Sequence, residues 1–324
     1  MAQVVVKISE AWNRFWFTGY SAESLGLIRL CFGIGLFFFN LTQLWTLLLI
    51  DASGDPFYYV RPVWYFEPFG LEHNFPRLDL VLLATLQLAT LSMAFGYRTR
   101  LSTLLVIVLV CYLRGVRDSI LGEGHHRYHV PFNLLVILAV ARSGGGHSVD
   151  ARRASNTGAP PAVEEWQASW PIMAMQVYTA SFYFWSFLAK VRTTGWDWFF
   201  DPRRIQDLLL ERSLTWGVTA QGEPVFNAMP YWLSQQEELC RLLGVGTLVM
   251  EAGFPLILLV KRPLARLAFL AGVAFFHLAN LVLAYVSFAL LPIAFFVFFD
   301  LEKARLQLVA WRQRRARDVV SGSP

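Results

Sequence analysis

Few residues in this chain could do chemistry, and most of them border long apolar runs. Lys190 closes a run that begins Tyr183-Phe-Trp-Ser-Phe-Leu-Ala. Its ammonium either snorkels to a polar boundary or is held partly desolvated, where an amine can act as a base. A second stretch, His125-His126-Arg127-Tyr128-His129, puts three imidazoles in five residues at the start of another run. That density suggests metal, but no acidic ligand stands between His125 and His129 and there is no HExxH pattern. A polar, hydrogen-bonded helix start is the simpler reading, and no metal is predicted. His277 and Asn280 lie one helical turn apart and face the same way, which suits either a site or an interhelical hydrogen bond. Glu251, followed by Pro255, and Arg29 fall inside apolar runs, where an ionised group needs a partner. Neither is assigned to chemistry.

The elements that must position these residues are transmembrane helices. Of the 324 residues 56% are hydrophobic and only 16% charged, well short of the charge a soluble domain carries. Apolar runs near 24–50, 79–96, 101–116, 130–141, 170–190, 239–260, 264–279 and 281–299 each read as a span, about eight in all. The stretch 264–299 is too long for one span, and His277 and Asn280 mark the expected break. The run at 130–141 is short and contains Pro131 and Asn133, so it crosses only with help from its neighbours. The fold class is therefore all-α: a polytopic transmembrane bundle with about eight spans. Its parts are an amphipathic N-terminal segment (1–23), a transmembrane domain (24–300) and a basic tail (301–324).

Charge orients the set. Arg98/Arg100, Arg142/Arg152/Arg153, Lys261/Arg262/Arg266 and the Arg-rich tail all fall on one side if both termini are cytoplasmic. The net charge of +5 is thus topological rather than a nucleic-acid footprint, and no nucleic-acid partner is expected. Cys31, Cys111 and Cys240 sit in or beside apolar runs and form no disulfide pattern. This orientation brings His126, Lys190 and His277, on different spans, to the extracytoplasmic face.

At these residues the chain resembles the HTTM-domain family of vitamin K-dependent gamma-carboxylase. The resemblance is carried by Ser24-Leu25 with Arg29 and Gly33, by His125-His126-Arg127-Tyr128-His129 followed by Ser148-Val149-Asp150, by Tyr183 with Lys190 and Trp196, and by Phe276-His277-Leu278-Ala279-Asn280. It covers about residues 10–300. The family's Asn is His125 here, its second Lys is Ala189 and its Leu is His129. After the last span this chain has a basic tail where the carboxylase has a large lumenal region.

What the resemblance implies is a lysine, Lys190, acting as base on vitamin K hydroquinone or another membrane quinol, with His126 supporting the charged intermediates and His277 as a further motif residue. Oxygen then yields a strong alkoxide that abstracts a glutamate γ-hydrogen, and the carbanion takes up carbon dioxide, a carbon–carbon lyase type of chemistry. His125, Tyr128, Tyr183, Trp196 and Asn280 are the positions expected around the quinol. Expected partners are the lipid bilayer and a small secreted peptide or protein substrate. The competing expectations are a non-catalytic membrane factor for export, maturation or immunity of a small secreted peptide, and a lipid- or quinone-binding protein without turnover.

Overall fold

A computed structural model describes residues 2–43, 56–122, 128–158, 163–215, 226–284 and 291–321. Every regular element among them is helical, apart from an isolated antiparallel bridge between Tyr58 and His73. Four helical stretches of 20 to 23 residues are long and apolar enough to cross a membrane: Ala22–Leu41, Pro76–Phe95, Glu237–Leu259 and Pro263–Leu283. The chain divides into two compact units, Met1–Met175 with Ile293–Pro324, and Gln176–Pro292.

In the first unit α1 (Ala2–Phe17) leaves Val5, Ile8 and Trp12 exposed, and α2 (Ala22–Gln43) packs on α3 (Pro76–Phe95). Gly33 permits that approach: a Cβ there would stand 2.7 Å from the Ala94 Cβ. Next come α4 (Thr99–Leu121), which carries Arg114, Arg117 and Asp118 near its end, and α5 (His129–Val140). With 12 residues α5 spans only about 18 Å, as its composition implied. Pro131 falls in its first turn, where a missing N–H is tolerated, and the Asn133 amide donates back to the His129 carbonyl at 2.8 Å.

Three polar side chains tie this unit together. Arg29 on α2 is fully buried, and its guanidinium donates to the carbonyls of Ala94, Ser143 and His147. It therefore holds the segment after α5, whose orphan carbonyls would otherwise go unpaired. Ser148 caps α6 (Val149–Asn156), accepting from the Ala151 N–H at 2.8 Å. Asp150, two residues on, caps a different helix: its carboxylate accepts from the Arg98 and Thr99 N–H groups at 2.9 and 2.8 Å and from the Thr99 hydroxyl at 2.7 Å. Arg98 has φ +44°, a conformation a non-glycine residue seldom adopts, and this cap holds it there.

α7 (Glu165–Thr194) runs from the first unit into the second. Its tyrosines, Gln176 and hydroxyl residues make it less apolar than the four long spans. The second unit adds α8 (Asp197–Phe200), α9 (Pro202–Thr215), α10 (Ala228–Ser234), α11 (Glu237–Gly253), a 3-10 helix Phe254–Leu259 and α12 (Pro263–Ala284). Ile205, Leu209, Leu233 and Cys240 form one core of this unit. Pro255 explains the change of helix type, since it lacks the N–H that would pair with the carbonyl of Glu251. The expected break at His277 and Asn280 is corrected: α12 continues through both to Ala284. Asn280 is accommodated because its amide donates to the Phe276 carbonyl at 2.9 Å, within the helix. Much of the eighth expected run lies outside the described residues; its end forms Leu291–Ala294 and a 3-10 turn, Phe295–Phe298. The basic tail is helical over Leu301–Ser321.

Burial pushes the Asp150 carboxyl up, but the bonds from Thr99 and Arg98 and the charge of Arg29 outweigh it and hold the group below its ordinary value of 3.8. A depressed carboxyl stabilises the fold above its unfolded pKa and loses that contribution as pH falls through the native one. Asp150→Asn, which removes the charge behind these hydrogen bonds, should therefore lower stability by about 1 kcal/mol at neutral pH. The difference in thermal midpoint from wild type should close as the pH of detergent samples is taken below the ordinary carboxyl value. A difference that persists unchanged into acid would contradict the capping role.

Candidate functional site

The site is built on one face of the C-terminal half of α7. Tyr183 and Lys190 are seven residues apart, two turns of a helix, so both project the same way about 10.5 Å apart along the axis. Facing them are Glu251 near the end of α11 and Phe254 one turn later. The Lys190 Nζ donates to both carboxylate oxygens of Glu251, at 2.6 and 2.9 Å. The lysine side chain is 25% exposed and the glutamate 9%, so the pair is largely withdrawn from water. The other rung is aromatic: the Tyr183 ring stacks on Phe254 with centroids 4.0 Å apart and planes within 13°. The Tyr183 hydroxyl shares a 2.6 Å hydrogen bond with Nε2 of His277, which is buried on α12.

Lys190 thus has a counter-ion rather than a headgroup as its partner. Its Nζ also lies 5.7 Å from the ring centre of Trp198. Proton exchange between an amine and a carboxylate at 2.6 Å needs no movement of either helix. The Tyr183–His277 contact is a second short proton path on the same face.

The other expected site residues are distributed unevenly. Trp196 is half exposed and packs against Phe187, Phe199 and Phe200, so it belongs to an aromatic cluster, while Trp198 is the indole over Lys190. Asn280 bonds within its own helix. Tyr128 belongs to the first unit, where the Arg114 guanidinium lies 3.3 Å from its ring centre and pairs with Asp118 at 2.8 Å. His125 and His126 lie outside the described residues. Among the described residues no three His, Cys, Asp or Glu side chains group so as to hold a metal ion.

The sequence required a partner for Glu251 without identifying Lys190, and it did not single out Phe254 or Trp198 for the site. The readable signal was charge complementarity: one carboxylate within the 239–260 run, one lysine at the end of the 170–190 run, and hydrocarbon to penalise either alone. No family model, curated protein or solved structure matches the chain. Among the described residues, fold and site define an all-helical protein with four helices able to cross a membrane and a withdrawn lysine–glutamate pair.

Breaking such a pair leaves one charge uncompensated, so Glu251→Leu and Lys190→Met should each destabilise the protein by roughly 3 kcal/mol. The double variant Lys190→Met/Glu251→Leu should lose much less than the sum, as read from thermal midpoints in detergent. Losses that add within about 0.5 kcal/mol would show that the pairing contributes nothing.

Proposed function

We propose that the chain is a multi-pass membrane protein of the HTTM type, with about eight spans and both termini cytoplasmic, that uses a membrane quinol to modify a substrate at the extracytoplasmic face. Lys190 is the general base, and Glu251 is the group that relieves it of its proton. The observation that carries the reading is the two-bond contact between Lys190 and Glu251, on helix faces that also bring Tyr183 onto Phe254.

The residues fit a quinol in kind. An amine that can reach a ring hydroxyl stands beside the face of Trp198, and an aromatic stack lies on the same helix face. A bound quinol would supply a weakly acidic hydroxyl and, with oxygen, a base stronger than any side chain. Lys190 passes its own proton to Glu251 and takes the hydroxyl proton in its place, which leaves the quinolate beside an ammonium and a neutral carboxyl. Tyr183 and His277 hold the neighbouring hydrogen bond in a buried setting, where such bonds are strong. From the resemblance, His126 is the residue expected to support the charged intermediates. The substrate class is a small secreted peptide or protein, and glutamate carboxylation is the reaction the resemblance favours.

A second reading has one observation in its favour: Lys190 directs two hydrogen bonds to Glu251, as a purely structural pair would. In that case the protein is a non-catalytic factor for export, maturation or immunity of a secreted peptide.

Consumption of phylloquinol or menaquinol by the protein in proteoliposomes, under oxygen, separates the two. Lys190→Ala should reduce it by about 100-fold or more, the usual contribution of a general base. Lys190→Arg should fare no better, because a guanidinium keeps its proton. Tyr183→Phe, which keeps the ring stack, should lose less. Consumption unchanged in Lys190→Ala would remove the base assignment and leave the second reading.

A further inference from the structure

The first unit contains a cavity of about 460 Å³ with no part in the chemistry above, within the size range of small-ligand sites, about 300–1,000 Å³. It lies between the start of α4 and the connection after α5. Two arginines line it, Arg100 and Arg142, and Val140, Ala154 and Val163 supply apolar wall. Its carboxylate, Asp150, is already engaged in capping Thr99 and Arg98, and Arg29 is a further cation near it. Formal charge in the lining favours an anion: two arginines against one carboxylate, which the cap already engages.

Guanidinium groups match the oxygens of a phosphate in geometry and charge, and an arginine-lined pocket with an apolar wall suits a phosphate that carries a hydrocarbon tail. The positive-inside pattern assigns this arginine-rich end to the cytoplasmic leaflet, where anionic phospholipid is at hand. We propose that the cavity binds the phosphate of an anionic phospholipid headgroup, with Arg100 and Arg142 as its ligands and Val140 and Val163 lining the path of the acyl chain. Free phosphate presents the same oxygens, so the test must separate the two sources. The proposal is independent of the quinol reading.

The full chain in phosphatidylcholine nanodiscs is titrated with phosphatidylglycerol, and binding is followed by the rise in thermal midpoint. Parallel samples receive inorganic phosphate instead. Wild type should bind phosphatidylglycerol at least about tenfold more tightly than Arg100→Gln/Arg142→Gln. Arg152→Gln removes an exposed arginine that does not line the cavity and should match wild type within about twofold. All of these side chains are exposed at the surface, so equal midpoints in pure phosphatidylcholine check that the variants fold. Stabilisation by inorganic phosphate with none from phosphatidylglycerol would overturn the lipid assignment. Equal binding by wild type and the double variant, or an equal loss in Arg152→Gln, would overturn the site itself.

Discussion

In surroundings that exclude water, an ionised side chain persists only beside groups that offset its charge and complete its hydrogen bonds. Lys190 and Glu251 satisfy that condition for each other, and the helices that carry them are fixed accordingly. α7 turns the face holding Tyr183 and Lys190 toward Phe254 and Glu251, and Pro255 converts the end of α11 into a 3-10 turn beside the pair. The aromatic stack and the Tyr183–His277 bond then follow as neighbours on those faces. The same rule operates in the first unit, where Arg29 is fully buried and answers a set of backbone carbonyls instead of a carboxylate.

Much of the architecture was legible because hydrocarbon leaves so few solutions. Among the described residues, four of the expected apolar runs carry helices long and apolar enough to cross a membrane, and the short α5 with its early proline stands at another. The misplaced break in 264–299 has a clear cause. His277 and Asn280 look like breakers in an apolar run, but an imidazole bonded by Tyr183 and an amide bonded to the preceding turn let the helix continue to Ala284. Polarity in sequence does not reveal whether a partner is waiting.

Partners were what the sequence withheld. Lys190 and Glu251 are separated by 61 positions, and nothing in either run states that they meet. The resemblance offered Trp196 as a residue around the quinol, yet Trp198 is the indole near the Lys190 ammonium. The motif residues Arg29, Gly33, Ser148 and Asp150 were read as marks of a family, and each has a structural task here: a carbonyl clamp, a close helix approach and two helix caps. A resemblance carried by such residues therefore speaks more to the fold than to catalysis, and Lys190 with its surroundings carries the functional weight.

The Lys190–Glu251 pairing that fixes these helix faces is tested most directly by the reactivity of a single amine. Native membranes would be treated with an amine-directed probe, and labelling at Lys190 followed by mass spectrometry against Lys303, an exposed lysine in the tail helix of the same chain. The account predicts slow labelling of Lys190 relative to Lys303, and a marked acceleration at Lys190 alone in Glu251→Gln, where the amine is released from its carboxylate. Labelling of Lys190 at the rate of Lys303, indifferent to Glu251→Gln, would contradict it.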